Sequence, residues 1–309
     1  MALSSQAQVG RPCAPALDAP EWQHRFADLN GMRLHYVEAG GGPLLVLLHG
    51  FPEFWYAWRR QILQLAAAGF RVFAPDLRGY NLSAKPRGVL AYGMRAVVED
   101  VRALIQSAGV SRAHLVGHDF GAGVAWALAM RHPAVVERVV IVNGPHPERM
   151  LRGMLNPRQL LRSWYIFFLQ LPWLPELVAS ARDHALLIAP FQRIPAEAGW
   201  SGEEYEAYRR AFEQPGALHA MINYYRAMLR PAGGVPLRRI QAPVLVLWGD
   251  RDPYLGRRLA KPSRKWVPHA RVEILEGVGH FVQHEQPELL NRRIVDFLKP
   301  PAALVNGRG

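Results

Sequence analysis

Six short apolar runs, several of them continuous rather than alternating, set the tightest limit on how this chain folds. They lie at 44–48, 72–74, 114–116, 139–142, 244–248 and 272–275. A strand that is apolar on both faces has no side to offer water, so it belongs inside a sheet covered on both faces, the usual setting of parallel strands. Segments of helical period at about 57–68, 93–108 and 120–131 fall between the runs and give the β–α alternation of an open α/β fold. Ahead of them, alternating segments at about 24–29 and 32–38 flank Asn30–Gly31, a pair that predicts a tight hairpin turn.

The alternation stops between about 146 and 235, where strand-like runs vanish and helix-period segments rich in Trp, Tyr, Phe, Leu and Pro take over. This predicts an inserted helical cap over 146–235, a core domain formed by 23–145 with 236–309, and a flexible leader over 1–22. In the insertion Ser201 and Glu204 fit a capping box, and Met221, Tyr225 and Met228 share one helical face, as do Leu161, Tyr165 and Phe168.

At 309 residues, 50% hydrophobic and 20% charged, the chain can bury a full core. Its net charge of +12 is scattered in pairs such as Arg59–Arg60 and Arg292–Arg293, with no basic run or recognition motif, so no nucleic-acid partner is expected. Lysine supplies only four of the 37 basic residues, a bias that arginine-rich codon usage explains without a function. Cys13 is the only cysteine, which excludes an internal disulfide and a thiolate metal cluster and suits a reducing cytoplasm. The first twenty residues hold no apolar core of signal-peptide length, and no stretch has the apolar length of a membrane span. A cytoplasmic protein without membrane insertion is therefore expected, and the sequence leaves its oligomeric state open.

Gly117-His118-Asp119-Phe120-Gly121 follows one buried run and opens a helical one, with the spacing of a nucleophile elbow in which aspartate replaces serine. Such a turn strains its central residue and brings backbone segments close, so glycine is needed two residues to either side. Taken alone, Asp119 would serve equally as a helix cap. Its partners argue otherwise: Asp252 and His280 each follow a strand, in the chain order nucleophile, acid, histidine. Either residue by itself reads as a turn or loop residue; the joint arrangement reads as a triad. A zinc reading of His280 and His284 is weak, because the metalloprotease helix requires Glu directly after its first histidine and Phe281 stands there. No metal or cofactor is expected. His49-Gly50-Phe51-Pro52 closes the first run, and the backbone amides of Phe51 and Phe120 are the candidate oxyanion donors.

The segments HGFPEFWYAWR, DLRGYNLS, GHDFGAGVAWALA, WGDRDPYL and GVGHFVQHEQP resemble the α/β-hydrolase epoxide hydrolases, and NGPHP and LLRSWYIFFLQLPWLPE are similar to their cap, with coverage from about 25 to 300. The resemblance implies a mostly parallel sheet flanked by helices, the α/β-hydrolase fold, with an all-helical cap. It implies that Tyr165 and Tyr225 are the cap's ring-opening donors, although Tyr224 beside Tyr225 leaves the second assignment open and both tyrosines also fit as core aromatics. An already ionised aspartate suits attack on a saturated carbon, and a neutral phenol suits protonation of the alkoxide that leaves. His49, Pro52, Trp164, Phe168, Tyr224 and Phe281 are expected around the substrate. Trp164, Phe167, Phe168, Leu171 and Trp173 suggest an apolar pocket, hence an aryl or alkyl epoxide, with water as second reactant. Two alternatives remain. A haloalkane dehalogenase would use the same triad, yet phenylalanine at 51 and 120 removes the halide donors that those relatives commonly carry; a non-catalytic ligand-binding homologue would share the fold alone.

Overall fold

A computed structural model describes Leu17 and residues 20–195, 200–230 and 234–299. The hairpin forms from β1 (Gln23–Leu29) and β2 (Met32–Ala39), with Leu29 opposite Met32. Asn30 and Gly31 take φ of 51° and 74°, the positive values a two-residue turn needs if it is to follow the twist of its strands. Next come β3 (Leu44–Leu48), α1 (Arg59–Ala67), β4 (Arg71–Pro75), α2 (Met94–Ser107), β5 (Ala113–His118), α3 (Phe120–Arg131) and β6 (Val136–Val142). α2 shows why these segments are helical: Val97, Val98, Val101, Leu104 and Ile105 form one stripe, and all five are buried.

The insertion then supplies α4 (Pro147–Gly153), α5 (Pro157–Arg162), α6 (Trp164–Phe168), α7 (Leu174–Gln192), α8 (Gly202–Glu213) and α9 (Ala217–Met228). The Ser201–Glu204 capping box starts α8, both of its reciprocal hydrogen bonds being made. α7 is interrupted where Arg182, Asp183 and His184 take left-handed backbone angles. After the insertion, β7 (Val244–Gly249), β8 (Ala270–Leu275), α10 (Val282–Glu285) and α11 (Pro287–Leu298) complete the described chain.

The strands form one eight-stranded sheet in the order β1-β2-β4-β3-β5-β6-β7-β8. β1, β2 and β4 pair antiparallel, and every pairing from β4 through β3 to β8 is parallel. All six apolar runs lie within strands. β6 and β8 begin two or three residues earlier than their runs, because Glu137, Arg138 and Arg271 at the half-exposed strand starts carry no apolar signal. The chain steps outward from β3 to β4 and returns on the other side of β3 as β5, which makes the C-terminal ends of β3 and β5 the switch point where open α/β sheets form a crevice.

Buried polar contacts tie the insertion to the sheet domain. Arg59 of α1 pairs with Glu204 of α8, the Tyr208 hydroxyl donates to Glu53 Oε1 at 3.0 Å, and the Tyr224 hydroxyl donates to the Arg78 carbonyl at 2.8 Å. Most of the leader over 1–22, including Cys13, lies outside the described residues. Trp22 is buried edge-on against Trp55 and donates to the Leu17 carbonyl. Among the described residues no helix is long and apolar enough to cross a membrane.

Candidate active site

β5 ends at His118 and α3 begins at Phe120, so Asp119 alone makes the turn, with φ 51° and ψ −116°. That backbone conformation is costly for a residue with a side chain, and it persists only where packing enforces it. A Cβ on Gly117 would stand 2.4 Å from the Gly121 carbonyl oxygen, and one on Gly121 would stand 2.1 Å from that of Leu48. Both positions are glycine because backbone already fills the space. The Asp119 side chain caps no amide of α3; its Oδ1 accepts from the Phe51 backbone N–H, 3.0 Å away across the switch point. The amide expected to hold an oxyanion therefore already holds this carboxylate.

Asp252 lies in the loop after β7 and His280 in the loop after β8. His280 Nδ1 is 2.6 Å from Asp252 Oδ2, and its Nε2 points toward Asp119 with 3.8 Å to Oδ2. Asp252 Oδ1 accepts from the backbone N–H of Tyr254 at 2.7 Å and of Leu255 at 2.8 Å, while Oδ2 also accepts from Asn143 Nδ2 at 2.6 Å. Burial opposes ionisation of Asp252, but the His280 imidazolium and these donors outweigh it and lower its pKa. Burial likewise disfavours the charged imidazole of His280; the Asp252 carboxylate, aided by Asp119, overrides it and raises the pKa to about 9.

Above these groups lies a cavity of about 450 Å³, within the range that suits a small organic ligand. Asp119 and His280 lie on its wall with Tyr165, Tyr225 and Tyr254, and the rest is largely apolar, including Phe51, Pro52, Leu161, Trp164, Phe168 and Phe281. The Tyr225 ring is held edge-on between Phe51, at 5.0 Å between centroids, and Phe120, at 4.8 Å. Tyr165 meets the same ring at 5.8 Å. Among the described residues neither the Tyr165 nor the Tyr225 hydroxyl has a hydrogen-bond partner in the protein. Burial, and then the Asp119 charge among nearby groups, raises both phenol pKa values, so both keep their protons.

Asp119, His280, Asp252, Tyr165, Tyr225, Phe51, Pro52, Trp164, Phe168 and Phe281 are thus brought together. Phe120 reaches the site through its contact with Tyr225. His49 and Tyr224 do not line the cavity. His49 is fully buried, donating from Nδ1 to the Gly50 carbonyl and accepting at Nε2 from the Leu77 N–H, and Tyr224 faces Tyr80, Tyr92 and the Arg78 carbonyl. Phe167, Leu171 and Trp173 also stand outside the cavity, on the protein surface.

Sequence reasoning passed over Asn143, Tyr254 and Glu53. Asn143 accepts from the Gly249 N–H while donating to Asp252, and the Tyr254 ring lies edge-on to His280 at 5.2 Å. Glu53 is buried and receives hydrogen bonds from Gln283, Tyr208 and His284, with His118 Nδ1 3.1 Å from its Oε2; His118 Nε2 reaches the His280 carbonyl. A lone carboxylate within the aromatic run from Phe51 to Trp58 was the available signal. His284 is occupied by Glu53 and Arg59 and does not face His280, and among the described residues no group of three or more His, Cys, Asp or Glu is placed to hold a metal ion.

The family described as alpha/beta hydrolase fold matches residues 43–287. Over 278 residues the chain is 39% identical to the AB hydrolase superfamily protein YfhM of Bacillus subtilis (strain 168), covering 89% of this chain and 97% of that protein. It is 38% identical over 281 residues to Epoxide hydrolase 4 of Homo sapiens, covering 87% and 76% of the two chains. The crystal structure of the Bacillus megaterium epoxide hydrolase in complex with an inhibitor aligns with a TM-score of 0.82 at 32% identity, over 89% of this chain and 99% of that one.

Proposed function

This chain belongs to the α/β-hydrolase-fold epoxide hydrolase family, and from that premise we propose that it hydrolyses an apolar epoxide to a vicinal diol through an ester on Asp119, with 23–145 and 236–309 as core domain and 146–235 as its lid. The observation that carries the reading is the convergence, on one largely apolar cavity, of the Asp119 carboxylate, His280 and two phenols whose hydroxyls have no hydrogen-bond partner among the described residues. An aspartate attacking an ester would give an anhydride that readily reverts, whereas at a saturated carbon it gives a stable alkyl ester and needs no base. One Asp119 oxygen bonds to a ring carbon as the ring C–O bond breaks, and Tyr165 or Tyr225 gives its proton to the departing oxygen.

The ester must then be cleaved by water. In the resting protein His280 is largely protonated at neutral pH, and the Asp119 charge is one cause. Alkylation abolishes that charge, which lowers the imidazole's pKa at the step that needs a base. Its proton passed to the phenolate left by ring opening, His280 takes a proton from water as the water oxygen adds to the ester carbonyl. The Phe51 and Phe120 amides stabilise the tetrahedral oxyanion, which collapses by breaking the ester C–O bond while His280 protonates the departing diol oxygen, and the Asp119 carboxyl then returns its proton to His280. The apolar lining favours aryl or alkyl substituents. In support, a mutant of the Bacillus megaterium enzyme was crystallised with its product (R)-3-[1]naphthyloxy-propane-1,2-diol.

The test is the intact mass of His280→Gln after exposure, in separate tubes, to epoxides and to haloalkanes, with His280→Gln/Asp119→Asn as control. The expected result is a gain equal to the whole epoxide, absent from the control. A gain only with haloalkanes, smaller than the reagent by hydrogen halide, replaces the reading with dehalogenation. No adduct, together with no diol from the wild type, leaves a binding protein in its place.

A further inference from the structure

The first part of the insertion carries large apolar side chains on its outer face as well as on the inner face where Ile166 and Leu169 are buried. Along α5 and α6, Gln159 and Ser163 are buried, Gln159 hydrogen-bonding to Ser163 Oγ and to the Tyr254 carbonyl, while Leu160, Leu161, Trp164 and Phe167 are exposed. Leu171 and Trp173 extend this face, and Leu161 and Trp173 remain 73% and 69% exposed. Leu161, Trp164 and Leu186 also line the cavity, so its mouth opens within the apolar face. A helical stripe of this width is ordinarily turned to the core, and an exposed cluster of large apolar side chains marks a surface that something covers.

Charge decides what covers it. From Arg149 to Pro175 the sequence holds four arginines and no acidic residue. Arg149 and Arg152 are paired with Glu148, but Arg158 and Arg162 have no carboxylate partner among the described residues; Arg158 is exposed next to the leucines, and Arg162, at the cavity rim, donates to the Asp252 carbonyl. A second copy docked face to face would set these arginines against their own kind, since a twofold contact pairs a patch with itself. Leucine and tryptophan with flanking arginine instead match the boundary between acyl chains and anionic headgroups. We propose that this face of the cap rests on an anionic lipid surface without spanning it, holding the cavity mouth toward the layer in which an apolar substrate dissolves. The docking itself does not depend on the chemistry at Asp119.

The full chain should be floated with phosphatidylcholine vesicles, with and without phosphatidylglycerol, at low and high salt. The wild type is expected to float with the mixed vesicles and to be released by salt, as headgroup attraction requires. Phe167→Ser/Trp173→Ser, both outside the cavity, is expected to weaken partition about tenfold or more while turnover of a water-soluble epoxide stays unchanged, which also shows that the variant is folded. Failure of the wild type to float overturns the proposal, as does equal flotation of the variant. A dimer in sedimentation velocity that the same variant dissolves also overturns it, by assigning the face to a second copy. Vesicle binding needs no reaction, so its failure and a failure of the epoxide reading are separate results.

Discussion

At Asp119 a single residue holds the strained turn, carries the carboxylate and receives the Phe51 amide. The two phenols bear most directly on its chemistry, because their hydroxyls have no hydrogen-bond partner to lose among the described residues. Replacing Tyr165 or Tyr225 with Phe keeps the ring packing and removes only the donor, so each change is expected to slow ester formation roughly a hundredfold, with hydrolysis of the ester nearly unaffected. Single-turnover kinetics separate the two steps, and Tyr224→Phe is the comparison that leaves ester formation intact. Equal losses for all three tyrosines would remove the ring-opening role from Tyr165 and Tyr225. The contrast between Tyr224 and Tyr225 also shows where sequence reasoning stops. Neighbours on a helix point about 100° apart, so the Tyr225 ring enters the cavity while the Tyr224 hydroxyl turns to the Arg78 carbonyl. Asp119, Asp252 and His280 were legible because each is pinned to the end of a strand in the chain order of a triad. Asn143 also follows a strand and Glu53 follows β3, but side chains that only position others have no such order to mark them, and the fold alone joins them to their partners.

Among the elements, the junction of β5 with α3 is the least tolerant. Gly117→Ala puts a Cβ 2.4 Å from the Gly121 carbonyl oxygen, where the nearest atoms are all backbone of Gly121 and Ala122 and no flexible side-chain tip can yield. The substitution is expected to cost about 2–4 kcal/mol in urea unfolding. Gly202→Ala, at the first position of α8 with nothing within 4 Å of its new Cβ, should instead be neutral or slightly stabilising. Similar losses for both would mean that the close approach at the elbow is not what requires glycine. The strands and the α1 and α2 segments were readable because their burial matches their pattern, and α3 because it is apolar and buried almost throughout. The insertion was only half readable, since a periodic stripe identifies a face without saying what it meets. Leu161, Tyr165 and Phe168 share a stripe and line the cavity, whereas Phe167, Leu171 and Trp173, equally apolar, face outward.

For the molecule as a whole, three buried histidines pull stability in opposite directions as pH changes. Burial lowers His146 and His284 to about 4, so both are neutral in the fold at neutral pH. The unfolded chain, with histidines near about 6.5, binds protons below that value which the fold refuses, and stability falls on acidification from about 6.5 toward 4. His280 is the reverse case: at about 9 it keeps a proton that the unfolded chain has released, so its contribution is full below about 6.5 and is lost as pH rises to about 9. A displacement of this size amounts to about 3 kcal/mol per group. Below about 4 the lowered carboxylates of Glu53, Asp76 and Asp252 deepen the acid loss. Urea midpoints should therefore peak near pH 6.5 and decline at both pH 4.5 and pH 8.5, and His280→Gln should flatten the alkaline side. Asp119→Asn carries the neutrality of the ester without its bulk. If the Asp119 charge helps hold the His280 proton, this variant should move the alkaline decline to lower pH; an unmoved decline would separate the two groups and remove the physical reason for His280 to become a base only after the ester forms.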